Sequence, residues 1–262
     1  MAYIEMTIRS AILDMDTKVD VILPENRHET KLDLNRRYPV LYLLHGMKDD
    51  NSTWSRLSTI NLLVRDLDLI VVMPTTYRGF YVNNRYGLDY YHYISEELPI
   101  KMANYFPISQ KPEDTYIMGD SMGGYGTLRI ALSKPENFRK AICLSGGALP
   151  PKNMHSIIAN DQMIGVFGSD EEYRESDNNL ERLVDKFNNF QGNKPDIIFY
   201  CGTEDMMYEH SKAFVAHIKA QYPNLKIKDE YWHGQHNYHF WNSALPKALQ
   251  EMGFKITENS II

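Results

Sequence analysis

Cysteine is scarce in this sequence. The chain of 262 residues contains two, Cys143 and Cys201, and each stands inside an apolar run. So few thiols exclude a disulfide framework, and they are typical of buried free cysteines in a reducing compartment. A single disulfide between the two positions is the alternative that remains open.

Positive charge and long apolar runs are limited as well. Lys and Arg total 28 against 34 for Asp and Glu, a net charge of −6, which disfavours a nucleic-acid backbone or an anionic membrane as partner. No apolar run approaches the roughly 18 residues of a membrane-spanning helix. The segment 1–15 carries Glu5, Arg9 and Asp14 and lacks the apolar stretch of a signal peptide. We therefore expect a soluble, cytoplasmic protein with no nucleic-acid or membrane partner.

The chain also lacks the marks of a domain boundary. It contains no internal repeat, no low-complexity tract and no linker rich in Pro, Gly or Ser. Its 43% of apolar residues are sufficient for a substantial core. We predict a single domain over residues 1–262, with a small cap-like insertion around residues 150–177, where the regular alternation of elements is interrupted.

Short apolar runs alternate with longer amphipathic segments along the chain. Unbroken apolar runs are typical of parallel strands that are covered on both faces, and the segments between them are typical of crossover helices. The first two strands alternate polar and apolar residues across a short turn, which predicts an antiparallel hairpin at the edge of the sheet. We predict an α/β fold with a mainly parallel sheet of about eight strands and helices on both faces. The predicted strands are 3–10, 18–23, 40–44, 69–73, 115–118, 141–144, 197–201 and 227–232, and the predicted helices are 88–105, 123–133, 178–190, 208–221 and 238–252.

A G-x-S-x-G pattern lies between the strand 115–118 and the helix that follows it, with Gly119, Ser121 and Gly123 at the fixed positions. A serine in so sharp a turn needs glycine two positions to either side, because a Cβ there would collide with the adjoining strand or helix. The alternative, a phosphate-binding turn, lacks a following Lys or a G-x-G-x-x-G pattern. We predict that Ser121 is a nucleophile, and that the amide of Met122 faces the oxygen of a substrate carbonyl.

The strand 40–44 ends in His45, Gly46 and Met47. An acyl-transfer site needs a second backbone donor from such a loop, and Gly46 permits a close approach to the substrate. We predict that the amide of Met47 is this donor. His45 precedes the serine, which is the wrong chain order for a catalytic base, so we expect it to hold the loop by hydrogen bonds.

Acid and base candidates follow the last two strands. Glu204 and Asp205 come after strand 197–201, and His233 and His236 come after strand 227–232. Serine, acid and histidine in this order are what an α/β hydrolase requires, since the serine needs an imidazole and the imidazole needs a carboxylate to orient it. We choose Asp205 for its shorter side chain and His236 for its place just before a helix.

Three further features of the sequence concern metal binding, the residue beside the serine, and the substrate pocket. His233, His236 and His239 form H-x-x-H-x-x-H, which could bind a metal, but no thiolate or carboxylate stands at a matching spacing. Asp120, beside the serine, is expected to be structural. Aromatic residues between positions 77 and 93, together with the insertion, are placed to cover an acyl or aryl pocket. The predicted substrate-binding residues are Gly46, Trp54, Tyr81 and Tyr90.

The segments 40–47, 71–74, 86–91, 96–99 and 119–124 together resemble the tributyrin esterase group of the esterase D family, and residues 165–168 extend the similarity into the insertion. The resemblance covers nearly the whole chain and implies the α/β-hydrolase fold. It further implies a serine carboxylesterase for short acyl chains, with Ser121, Asp205 and His236 as triad and the amides of Met47 and Met122 as oxyanion hole.

The same resemblance bears on cofactors, partners and substrate. It implies no cofactor and no metal, a small-molecule ester as substrate, and a homo-oligomer as an open expectation, since such enzymes often self-associate. Relatives include S-formylglutathione hydrolases, feruloyl and acetyl polysaccharide esterases, and mycolyltransferases. A thioesterase or acyltransferase with the same triad, and a scaffold without catalysis, therefore stay as alternatives.

Overall fold

A single mixed sheet runs through the computed structural model, which describes residues 1–25, 35–148 and 160–256. Its strand order is β1-β2-β4-β3-β5-β6-β7-β8. The β1/β2 and β2/β4 pairs are antiparallel, and all other neighbours are parallel. The predicted fold class, including the antiparallel N-terminal edge, is confirmed. The strands are β1 (Ala2–Ser10), β2 (Met15–Leu23), β3 (Val40–Leu44), β4 (Ile70–Pro74), β5 (Thr115–Asp120), β6 (Lys140–Leu144), β7 (Asp196–Gly202) and β8 (Ile227–Trp232).

Helices cover both faces of this sheet, which explains why β3 and β4 are buried at every residue. One apolar cluster lies between the sheet and helices α3 to α9, and a second lies between the sheet and helices α1, α2 and α10. No helix in the described ranges is long and apolar enough to cross a membrane. The helices are α1 (Thr53–Leu57), α2 (Ile60–Val64), α3 (Tyr90–His92), α4 (Leu98–Tyr105), α5 (Met122–Ser133), α6 (Asn160–Phe167), α7 (Asp170–Glu175), α8 (Leu180–Asn189), α9 (Tyr208–Gln221) and α10 (Tyr238–Glu251).

The predicted helix 88–105 is divided in the structure. A π-helical turn, Tyr93–Glu97, joins α3 to α4. Pro99 has no N–H to bond the carbonyl of Ser95, so the regular α pattern cannot run through this point. The turn places Glu97 against the β1–β2 hairpin, where its carboxylate accepts hydrogen bonds from the amides of Ala11 at 2.7 Å and Ile12 at 3.3 Å.

The predicted insertion contains two helices in its described part, α6 and α7, while residues 150–159 lie outside the described ranges. Helix α7 begins with a capping box between Ser169 and Glu172. Helices α1 and α2 were not predicted, because each is five residues long and too short for a periodic pattern. Cys143 and Cys201 are both free and buried, so the disulfide alternative is not formed.

Gly119 and Gly123 lie where β5 and α5 cross most closely. A Cβ on Gly119 would stand 2.6 Å from the carbonyl carbon of Gly123. A Cβ on Gly123 would stand 2.4 Å from the carbonyl oxygen of Leu44 and 2.8 Å from that of His45. These are backbone atoms of the adjacent strand and loop, so a side chain at either position would force the strand-to-helix turn apart.

We therefore expect Gly123→Ala to lower the free energy of unfolding by about 2 kcal/mol or more, in the range that overpacking of a tight interior costs. Gly165→Ala is the matched control, because nothing lies within 4 Å of a Cβ there; inside a helix it should be neutral or stabilise by up to about 1 kcal/mol. Urea unfolding of both variants measures the difference. Equal midpoints would contradict the close approach of α5 to the end of β3 and the loop after it.

Candidate active site

Ser121 occupies the turn between β5 and α5 in a conformation that side-chain-bearing residues rarely adopt, with φ +53° and ψ −115°. Such backbone strain costs about 1–3 kcal/mol and persists only where the surroundings enforce it. Here the amide of Ser121 donates to the carbonyl of Leu144 on β6 at 2.8 Å, and its carbonyl accepts from the amide of Tyr125 at 3.0 Å. The turn thereby raises the hydroxyl above the end of the sheet.

His236 connects Ser121 to Asp205. Its Nε2 lies 2.8 Å from the Oγ of Ser121, and its Nδ1 lies 2.8 and 3.0 Å from the two carboxylate oxygens of Asp205. Because a carboxylate only accepts, the proton of the neutral ring resides on Nδ1, which leaves Nε2 free to accept the serine proton. The edge of Trp241 packs on the ring at a centroid distance of 5.3 Å. This chain of hydrogen bonds joins three positions that are far apart in sequence.

Neighbouring strands bring the acid and the histidine together. The loops after β7 and β8 are tied by the hydrogen bonds from Thr203 N to Trp232 O at 2.9 Å and from Glu204 N to Gly234 O at 3.0 Å. The Asp205 side chain is fully buried, and its Oδ1 also accepts the amide of Met207 at 2.7 Å. The carboxylate is therefore fixed before substrate arrives.

The alternative candidates for the catalytic acid and base, Glu204 and His233, lie at the surface and pair with each other. His233 and Glu204 face each other at the surface, 3.3 Å apart, with side chains 85% and 49% exposed. His239 is exposed on the first turn of α10. The three histidines of the H-x-x-H-x-x-H pattern thus point in different directions, and the described residues contain no group of His, Cys, Asp and Glu placed to hold a metal ion.

The loop after β3 is held by His45. Its Nε2 accepts from the amide of Thr76 at 3.0 Å and its Nδ1 donates to the carbonyl of Gly46 at 2.6 Å. Burial lowers the pKa of His45, which keeps the ring neutral, as this pair of bonds requires. Met47 follows in this loop, and Met122 is the first residue of α5, where amides have no intrahelical acceptor. Both residues line the same cavity as Ser121.

That cavity has a volume of ≈ 400 Å³. Its lining divides by chemistry into polar groups, among them the Ser121–His236 pair, and apolar side chains. Both kinds suit an ester, whose carbonyl needs hydrogen-bond donors while its carbon chain needs apolar contact. The other polar lining residues include Lys48, Asp49, Asp120, Asn237 and Tyr238, and the apolar ones include Leu57, Phe80, Tyr125, Phe167, Met206, Met207 and Trp241.

Three of the four predicted substrate-binding residues do not line this cavity. Trp54 is fully buried and donates its Nε1–H to the carbonyl of Leu44 at 3.0 Å. Tyr81 is also fully buried and donates its hydroxyl to the carbonyl of His45 at 2.9 Å. Tyr90 is buried against Gly79. The three rings support the loops from behind, and their role in substrate binding stays a prediction; of the four residues, Gly46 borders the cavity.

The lining residues missed by sequence reasoning include one from the insertion, Phe167, and two from the loop after β7, Met206 and Met207. Phe167 at the end of α6 packs against Phe80 and Tyr125, with ring centroids 5.3 and 6.0 Å apart. Met206 and Met207 follow the acid Asp205 directly. Their place beside Asp205 was a usable signal, whereas nothing in the sequence showed which way Phe167 would face.

A parallel sheet with this strand order, a strained serine after β5, and a histidine and carboxylate after the last two strands define a serine hydrolase of the α/β-hydrolase fold. Comparison with known proteins narrows this class. The chain belongs to the Esterase family, whose profile matches residues 10–252. It is accordingly a carboxylic ester hydrolase.

Individual relatives cover almost the full chain. An acetyl esterase of Caldicellulosiruptor saccharolyticus is 27% identical, over 96% of this chain and 98% of its own. The structure of FphF, a fluorophosphonate-binding serine hydrolase of Staphylococcus aureus, is 30% identical with a TM-score of 0.88, over 97% of this chain and 99% of its own. The S-formylglutathione hydrolase FrmB of the same organism is 30% identical with a TM-score of 0.84, over 96% and 98%. The resemblance to the esterase D family is confirmed.

Proposed function

We propose that this protein hydrolyses short-chain carboxylic esters through an acyl-enzyme on Ser121, with His236 as general base and acid and Asp205 as the group that orients it. The observation that carries the proposal is the unbroken series of hydrogen bonds from Asp205 through His236 to Ser121 at the wall of the ≈ 400 Å³ cavity. A hydroxyl is a weak nucleophile unless an adjacent base takes its proton, and this arrangement supplies that base.

In the first step the Ser121 Oγ attacks the ester carbonyl carbon while His236 Nε2 takes the hydroxyl proton. The carbonyl oxygen becomes an oxyanion, for which the amides of Met47 and Met122 are the proposed donors. When the tetrahedral intermediate collapses, the bond to the alcohol oxygen breaks and His236 returns its proton to that oxygen. The acyl group stays on Ser121.

In the second step a water molecule takes the place of the alcohol. His236 removes its proton, the water oxygen attacks the acyl carbon, and the bond to Ser121 breaks with return of the proton to its Oγ. The products are a carboxylic acid and the free enzyme. Asp205 keeps its negative charge throughout and stabilises the imidazolium of each step.

The aromatic part of the cavity lining supports a short acyl group. Phe80, Tyr125 and Phe167 form a contacting cluster of rings that borders the cavity. Two of the similar proteins are named for small acyl groups, acetyl in one and formyl in the other. A long chain has to displace these rings or remain in water, and either outcome reduces its contribution to binding.

A series of p-nitrophenyl esters tests this preference. We expect acetate and butyrate to give the highest kcat/KM, and octanoate to be poorer by about tenfold or more, since misfit of a few methylene groups is worth about 1–3 kcal/mol. Adding a feruloyl ester and S-formylglutathione extends the series to the other relatives. A rate that rises steadily with chain length would contradict a short acyl pocket.

Thioester hydrolysis or acyl transfer by the same triad is the second candidate, because FrmB covers the chain from end to end at 30% identity. Thioester hydrolysis differs from ester hydrolysis in the leaving group, which is a thiol, and acyl transfer differs in the acceptor, which is an alcohol or thiol in place of water. Relative kcat/KM on S-formylglutathione and on oxygen esters identifies a thioesterase, and partitioning of the acyl-enzyme between water and an added alcohol or thiol separates transfer from hydrolysis. Transfer predicts that the acceptor captures most of the acyl group at millimolar concentration, and hydrolysis predicts that water does.

A further inference from the structure

Two carboxyl groups approach the same residue, Gly46, in the loop that follows β3. Asp120, the last residue of β5, is fully buried, and Asp49 belongs to the loop itself. A Cβ on Gly46 would stand 2.6 Å from Oδ2 of Asp120 and 3.1 Å from Oδ2 of Asp49. Both oxygens therefore lie close to the backbone of Gly46, which precedes the proposed oxyanion donor Met47.

Within the described part of the chain, this pair has no salt-bridge partner. Neither carboxyl oxygen of Asp120 has a hydrogen-bond partner among the described residues. Asp49 Oδ2 accepts the hydroxyl of Tyr238 at 3.1 Å, and no ion pair of the described residues includes either carboxyl group. Two carboxylates in such a place cannot both hold a negative charge at low cost; one proton between them removes the repulsion and supplies the missing donor.

We propose that Asp120 and Asp49 share one proton, which Asp120 donates to Asp49, and that this contact positions the Gly46–Met47 loop for catalysis. Asp120 is thus a positioning residue, since it acts on the substrate only through the loop. The catalytic consequence depends on the proposed function, whereas the shared proton does not.

The electrostatic setting agrees with this geometry. Burial, followed by the charge of Asp49, raises the pKa of Asp120 well above the ordinary carboxyl range. Tyr81 and Tyr238 face the pair, and burial raises the pKa of both hydroxyls, so they stay neutral. His45 feels the charge of Asp49 as well, but burial lowers its pKa, so its ring is also neutral. Asp120 is then the group that loses its proton as pH rises.

The Asp120–Asp49 pair also links three segments of the chain that form the site. Asp120 immediately precedes Ser121, Asp49 lies two residues after Met47 and donates its amide to the carbonyl of Gly46 at 3.3 Å, and Tyr238 begins the helix that follows His236. Loss of the shared proton leaves two like charges beside Gly46. Their repulsion would displace Asp49, which is the movable partner, and the oxyanion loop with it.

Infrared difference spectroscopy of the resting enzyme tests the proton directly. We expect the carbonyl stretch of a protonated carboxyl group in the wild type at neutral pH, and its absence from Asp120→Asn. A spectrum in which the two proteins differ only in carboxylate bands would overturn the shared proton. This readout needs no substrate, so it remains decisive even if the proposed ester hydrolysis is wrong.

A pair of variants tests the positioning role. Asp120→Asn keeps a donor toward Asp49 and should retain kcat within about threefold, whereas Asp120→Leu removes the donor and should lower kcat by about tenfold or more with little change in KM, less than the 10²–10³ lost with a whole oxyanion donor. Equal kcat values for the two variants would overturn the role.

The pH profile of kcat/KM gives the second readout, and circular dichroism at each pH confirms that the chain is folded. Wild type should lose activity on the alkaline side as Asp120 ionises, and Asp120→Asn should not show this loss. Identical alkaline limbs would overturn the proposal. Because this comparison uses only wild type and the Asn variant, it stands even where Asp120→Leu fails to fold. Failure of ester hydrolysis itself would instead appear as inactivity of wild type and all variants alike.

Discussion

Replacing Ser121 with alanine is expected to lower kcat on p-nitrophenyl acetate by about 10⁴-fold or more, the loss that follows removal of a triad nucleophile. The Oγ of Ser121 is the only hydroxyl that His236 Nε2 contacts within the described residues, at 2.8 Å. Without it no acyl-enzyme can form, and water has to attack unaided within the cavity. Steady-state rates with highly purified protein measure the effect.

The fold should survive this change, because the turn at Ser121 is held by its backbone bonds to Leu144 and Tyr125 and not by the hydroxyl. The thermal unfolding midpoint of the variant is therefore expected to stay close to that of the wild type. Retention of more than about a hundredth of the activity by a folded variant would remove Ser121 from the chemistry, since triad serines contribute far more than this.

Asp205→Asn is expected to lower kcat by about 10⁴-fold with the geometry preserved. Oδ1 of Asp205 accepts the amide of Met207 at 2.7 Å, so the carbonyl oxygen of an asparagine would take that position. Its NH₂ group would then face Nδ1 of His236. The carbonyl oxygen would stay 2.8 Å from Nδ1, but the NH₂ group opposes the Nδ1 proton and the negative charge that stabilises the imidazolium is lost, so His236 takes the serine proton far less readily.

Glu204→Gln is the matched control for this variant. Glu204 is the adjacent carboxylate, but it is half exposed and meets only the exposed His233, and surface pairs of this kind contribute about 0–1 kcal/mol. We expect its kcat to stay within about twofold of wild type, because nothing in the site depends on it. A comparable loss in both variants would show that the choice between the two acids is wrong.

The central strands were predictable from the sequence because burial on both faces leaves an unbroken apolar run, and the edge strands because they are rich in strand-forming residues. The segments 40–44 and 227–232 coincide with the observed strands, and the other predicted strands differ at their ends by three residues or fewer. The strand-to-helix turn was equally readable, since glycines at positions 119 and 123 are required where backbones nearly touch. From these two signals the relative places of Ser121, Asp205 and His236 follow by topology.

The pocket was not predictable in the same way. Trp54, Tyr81 and Tyr90 were expected to bind substrate because they lie near the active edge of the sheet, but an aromatic ring there can face the cavity or the core equally well. The indole N–H of Trp54 and the hydroxyl of Tyr81 donate to backbone carbonyls of the segment 44–45, and these bonds turn both rings toward the core. Phe167 faces the cavity only because α6 packs onto the loop that carries Phe80, a long-range contact without a local pattern.

The central claim is that Ser121 is a nucleophile activated by His236, and reaction with a fluorophosphonate tests it most directly. The reagent forms a stable phosphonyl ester with an activated serine, and peptide mass spectrometry locates the adduct. We predict one adduct, on the peptide that carries Ser121, and its disappearance in His236→Ala. If the protein hydrolyses esters but forms no adduct, or forms it at another residue, Ser121 is not the activated nucleophile.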